Sequence, residues 1–138
     1  MNTVLKIAPS VSFSGDAATR LKTVQVWAYF WKGFAYAKIG SVYYAGIINN
    51  VAGATVSNYV SHTAMIAESN RYFNQVLTTL GSITSTTDYN AVLSQLIPAF
   101  LQTGNGGVMT PAQWSHNINT MFARNIPATG SAPIVNPN

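Results

Sequence analysis

The chain has 138 residues, which fits a single domain. Charged residues make up only 7% of it, against roughly 25% in ordinary soluble domains, and hydrophobic residues make up 48%, which excludes a disordered polar chain. The net charge is +4 and there is no Cys, so a disulfide scaffold is excluded, and so little charge does little to keep copies of the chain apart.

Residues 1–15 read as an extended arm, because Pro9 and the run SVSFSG break any helix. The opening MNTVLKIAPS holds one Lys and no apolar run of useful length, so no signal peptide is expected. Asp16, or Ser14 before it, can cap a following helix by accepting a backbone N–H bond.

That helix is expected over residues 16–50 and dominates the chain. Its central part has no Pro, no acid and only Lys32 and Lys38 as charges. At about 100° per residue, Trp27, Trp31 and Phe34 share one side with Arg20 and Lys38. Tyr29, Gly33, Tyr36, Gly40 and Tyr43 share the other with Lys22, and Lys32 lies beside them. The Val, Tyr, Phe and Trp content also suits strands, but strict alternation is missing and favours helix. A helix apolar all round is buried all round. So short a chain has few elements to cover it, so neighbouring copies or a long ligand are expected to do so. Gly33, Gly40, Gly46 and Gly53 recur along this stretch, each costing ~1 kcal/mol against Ala inside a helix. They signify either close approach of another backbone or breaks between shorter elements, and both readings stand.

Asn49, Asn50 and Gly53 suit a turn. A second helix is expected from about residue 56 to 80, with Ile66, Phe73, Leu77 and Leu80 on one face and Gly81 as its stop. A third begins at Ser85, with Asp88 at capping-box spacing, and carries Tyr89, Val92, Leu93, Leu96, Ile97, Phe100 and Leu101 as an apolar stripe. Pro98 should kink its last turn. Residues 104–107, GNGG, read as a flexible loop. Thr110, Pro111 and Gln113 open a fourth helix whose apolar face is Trp114, Ile118, Met121 and Phe122, with Arg124 in its last turn. Residues 126–138 hold three Pro and no charge and should lie extended. The expected fold is therefore all-α. A long N-terminal helix, straight or kinked, precedes a compact bundle over residues 56–125, about four helices in all, with extended N- and C-terminal arms in one domain.

Little of this points to catalysis. His62 and His116 are far apart and no pair of His has helical spacing, so no metal site is expected. A Ser–His–Asp triad lacks a G-x-S-x-G elbow, and three acids offer few carboxylate pairs. The GNGG loop lacks the Lys and Ser/Thr of a phosphate loop. Neither an enzyme nor a cofactor is expected. No run of ~20 apolar residues spans a membrane; residues 39–56 come nearest, interrupted by Asn49, Asn50 and Gly53.

The charge distribution is more informative. Lys6, Arg20, Lys22, Lys32 and Lys38 face a single acid, Asp16, in the first third of the chain, and Arg71 and Arg124 balance Glu68 and Asp88 in the rest. Such asymmetry points to an anionic partner. Basic side chains neutralise phosphates without reading bases, and Tyr and Gly let a helix approach a sugar–phosphate backbone. The competing reading is ordinary core aromatics with Lys heads reaching water. It is the better one for the aromatics taken singly, whereas the basic cluster favours the anion. The candidate nucleic-acid-binding residues are Arg20, Lys22, Lys32 and Lys38, with Tyr29 and Tyr36.

The run RLKTVQVWAYFWKGFAYAKIG and the later segments YNAVLSQLIPAFLQ and PAQWSHNINTMF, in a small Cys-free helical chain of low charge, resemble in layout the coat (major capsid) subunits of rod-shaped and filamentous DNA viruses of hyperthermophilic archaea. The resemblance implies a virion protein assembled in the host cytoplasm. It implies subunits paired as a homodimer or with a second related coat protein, in a helical filament around double-stranded DNA, with or without a membrane envelope. That family has a more basic N-terminal arm, whereas residues 1–15 here contain only Lys6, so the DNA contact is placed on the first long helix. The alternatives are a surface or extracellular filament without nucleic acid and a small membrane-associated protein.

Overall fold

The computed structural model describes residues 1–102 and 107–130. Among the described residues five α-helices form the fold: α1 (Asn2–Ile7), α2 (Ala17–Val42), α3 (His62–Leu80), α4 (Thr86–Leu96) and α5 (Pro111–Ala128). Between α2 and α3 lie two antiparallel strands, β1 (Ala45–Ile47) and β2 (Tyr59–Ser61), with Gly46 opposite Val60. A long N-terminal helix followed by a helical bundle is thus the architecture, as the sequence predicts.

The helix starts follow their caps. Asp16 accepts the Thr19 N–H at 3.1 Å and the Thr19 hydroxyl at 2.8 Å, and so opens α2. Ser61 and Ser85 accept the N–H groups of Ala64 and Asp88. At α5 the Thr110 hydroxyl accepts the Gln113 N–H and the Gln113 side chain accepts the Thr110 N–H, with Pro111 in the first turn.

The face of α2 that meets the bundle is made of small residues. Thr19, Thr23, Val26, Gly33, Ala37 and Gly40 are all buried and recur at intervals of three, four and seven residues, one stripe of a helix. Against it packs α3. A Cβ on Gly33 would stand 2.7 Å from the Phe73 ring, and one on Gly40 would stand 3.0 Å from the His62 carbonyl. The recurring glycines divide. Gly40 alone meets another stretch of backbone; Gly33 on α2 and Gly46 on β1 are packed against side chains, of Phe73 and of Ile39 and Met65; and Gly53, at φ +80° with open space beside it, is a turn. Large side chains fill the space on either side of the stripe. Val26, Phe73, Val76, Tyr89, Leu93, Trp114 and Ile118 form the main core, and Trp27, Phe30 and Phe34 pack against its edge.

Several boundaries differ from those expected. The N-terminal arm is not extended: α1 occupies residues before Pro9, packs on α2, and its Asn2 amide donates to the Asn49 carbonyl at 2.8 Å. Pro9 only ends this helix, through a short 3-10 turn. The long helix stops at Val42 rather than near residue 50, and the second helix starts at His62 rather than 56, because Tyr44 to Ser61 pair as a hairpin. β-branched and aromatic content outweighs helix periodicity there. Pro98 ends α4 instead of kinking it: Ile97 is driven to extended geometry, and Phe100, expected on the apolar stripe, is 85% exposed. α5 runs past residue 125 to Ala128, so Arg124 does not sit in its last turn. The bundle also covers more of α2 than so short a chain was expected to supply. Val26 and Ala28, on opposite sides of it, are both fully buried. The loop expected at residues 104–107, apart from Gly107, and the tail beyond residue 130 lie outside the described residues.

Candidate nucleic-acid interface

The six candidate residues occupy three different environments. Arg20 and Lys22, in the first turns of α2, bind the first turn of α4 and the α3–α4 connection respectively. Arg20 Nε donates to Asp88 Oδ1 at 2.6 Å, and Lys22 Nζ donates to the Ser82 carbonyl at 2.8 Å. These two cations fasten helices together.

Lys32, Tyr29 and Tyr36 belong to a second environment. Lys32 is only 6% exposed. Its ammonium donates to Asn2 Oδ1 and stands 4.4 Å from the centroid of the Tyr72 ring. Burial lowers its pKa from the usual lysine value, and the charge of Arg71 adds to the effect. Tyr29 and Tyr36 each pack on Tyr72 with ring centroids 6.0 Å apart. The Tyr36 hydroxyl accepts the Asn49 N–H, and both it and the Tyr72 hydroxyl lie within hydrogen-bond distance of Asn50 Oδ1. This polar core anchors the hairpin loop and α1. Burial pushes the Tyr36 and Tyr72 phenols above their usual pKa.

Lys38 alone of the six projects into solvent, with its ammonium 5.9 Å from the Phe34 ring centroid. It lies roughly 27 Å along the helix axis from Arg20, so the basic residues of α2 do not form one patch. The sequence reading did not place Arg124 among them. Arg124 is exposed on α5, beside the buried series Trp114, Ile118, Met121 and Asn125. The spacing of that series was the available signal, since it puts residue 124 on the rim of the helix face turned to the bundle.

The three carboxylates complete the electrostatics. Asp16 caps α2 and also accepts the Thr84 hydroxyl. Glu68 pairs with Arg71 and accepts from Asn50. Asp88 holds Arg20 and accepts the Ser85 hydroxyl. The Thr19 backbone bond lowers the Asp16 pKa, the Arg71 hydrogen bond lowers that of Glu68, and the Arg20 hydrogen bond lowers that of Asp88. A carboxylate with a depressed folded-state pKa contributes stability above its unfolded value and loses it as pH falls through the folded one. Resistance to urea is therefore expected to be flat from neutral pH down to about pH 5. It should drop as pH falls through the unfolded values, 4.5 for Glu68 and 3.8 for the two Asp, and further below them. A midpoint in urea that holds steady to pH 3 would contradict these assignments.

The fold and surface define a small all-α bundle whose acidic side chains are all engaged internally. Among the described residues no helix is long and apolar enough to cross a membrane, and no group of three His, Cys, Asp or Glu is placed to hold a metal ion. No protein-family model matches the chain, and neither does any curated protein or solved structure.

Proposed function

We propose that this chain is a structural coat subunit of a helical filamentous virion, which packs around double-stranded DNA and protects it through sequence-independent backbone contacts. One observation carries the DNA-binding part of the reading. Every carboxylate side chain is engaged within the fold, while Lys6, Lys38 and Arg124 stand exposed with no ion-pair partner among the described residues. A surface of that kind favours polyanions and carries no acidic group to compete for its cations. Val42, Tyr43, Tyr44 and Tyr59 are exposed where α2 enters the hairpin, which favours assembly of copies.

Assembled particles, treated with nuclease and then extracted, should yield protected double-stranded DNA. Particles that contain no nucleic acid would refute the reading. A filament without nucleic acid is the second reading, because the exposed aromatic end serves assembly in either case.

The burial of Lys32 makes a further distinction. Lys32→Met is expected to leave DNA affinity and its salt dependence unchanged, because the ammonium is occupied by Asn2 and Tyr72. Anisotropy titrations with a labelled duplex measure this; a loss of affinity in the folded variant would return Lys32 to the interface.

A further inference from the structure

We infer that Lys38 and Arg124 together form a clamp for one phosphodiester group of nucleic acid. The inference rests on the reading above and assigns its contact to a place. The two cations come from different helices, α2 and α5, and line the same pocket, about 80 Å³ in volume. Phe34, Ser41 and Asn125 form part of its wall, with Ala37 and Met121. That volume corresponds to between two and three waters, room for one phosphate group. The proposed coat function supplies it as a nucleic-acid phosphodiester; a lipid headgroup phosphate is the outcome that the vesicle arm of the test would reveal.

The clamp stands on a rigid base. Asn125, next to Arg124, is buried and donates to Ser69 Oγ at 3.1 Å and to Asn70 Oδ1 at 2.6 Å, which fixes α5 against α3. Met121, one turn earlier, is buried in the main core. On the other side Ala37 and Gly40 hold α2 in the bundle, and the Phe34 ring lies beside the Lys38 ammonium. The guanidinium provides a planar donor fork, and the ammonium provides a point charge. No carboxylate competes for either, since Asp16 caps the start of α2, Asp88 in the first turn of α4 is held by Arg20, and Glu68 is held by Arg71. Neither cation reads a base, so the contact is independent of sequence.

The test uses the full chain and a labelled random-sequence duplex, with affinity measured over a range of NaCl. Lys38→Gln combined with Arg124→Gln should reduce the slope of log affinity against log salt by about 0.9, the loss of one neutralised phosphate. The charge-preserving double variant, Lys38→Arg with Arg124→Lys, should restore it. Circular dichroism should show the same helix content in both variants. DNA binding with an unchanged slope in the double Gln variant overturns the clamp and leaves the proposed function standing. A reduction of about 1.8, the loss of two phosphates, also overturns the clamp, because the two cations would then act on separate groups. A wild-type chain that binds anionic phosphatidylserine vesicles and not DNA overturns both.

Discussion

Phe73→Ala is expected to lower the unfolding free energy by about 3–5 kcal/mol, the usual cost of truncating a buried aromatic to Ala. Phe73 is fully buried where α3 crosses α2, and its ring fills the space left by the missing side chain of Gly33. The same geometry makes Gly33 sensitive in the opposite sense. Gly33→Ala would gain ~1 kcal/mol of helix propensity in a tolerant setting. Here the new Cβ would stand 2.7 Å from a ring with nowhere to go. Overpacking of this kind typically costs about 1–3 kcal/mol, so the single substitution should destabilise. In the Phe73→Ala background the ring is gone, and Gly33→Ala should stabilise. Urea unfolding of both single variants and the double therefore gives a cycle whose coupling is favourable. If Gly33→Ala stabilises the wild-type chain, the close crossing of α2 and α3 is wrong.

Trp114→Ala should be of similar size, about 3–5 kcal/mol. The Trp114 ring is fully buried and meets Phe30 at a centroid distance of 5.6 Å and Trp27 at 6.2 Å, both edge to face. Such pairs contribute about 0.5–1.5 kcal/mol beyond their buried area. Trp114 fixes the N-terminal half of α5 to α2, as Asn125 fixes the C-terminal half to α3. Loosening it should displace Arg124, so DNA affinity should fall although no charge has been removed. An affinity equal to wild type at temperatures where the variant is folded would separate α5 from the interface.

The caps were the most legible part of the fold. Asp16, Ser85 and the Thr110–Gln113 pair act locally, through bonds spanning three residues, and the chain prints them in order. The apolar faces of α3 and α5 were legible for a related reason, since Phe73, Trp114 and Ile118 recur at helical spacing. The buried stripe of α2 was not. It consists of Thr, Val, Gly and Ala, while the conspicuous Trp and Tyr residues flank it, so a reading weighted by hydrophobicity finds two aromatic faces and misses the seam between them. The hairpin was hidden because pairing of residues 45–47 with 59–61 depends on a partner distant in sequence. For the candidate interface, basic residues can be counted from sequence, but whether a lysine meets an asparagine, a carbonyl or water is a matter of tertiary packing. Lys32, Lys22 and Lys38 have those three fates in turn.

The internal engagement of Asp16, Glu68 and Asp88 also bears on how copies of the chain would meet. In the proposed coat, any subunit contact that brought exposed Lys or Arg side chains together would have no free acidic side chain to pair them, so such a contact would be opposed until something negative lay between. Salt weakens that opposition only beyond about a Debye length. Threading a polyanion through the assembly removes it at each contact. Growth should then be conditional on cargo: empty shells would be disfavoured at low ionic strength, and the guest would set the length of its own container.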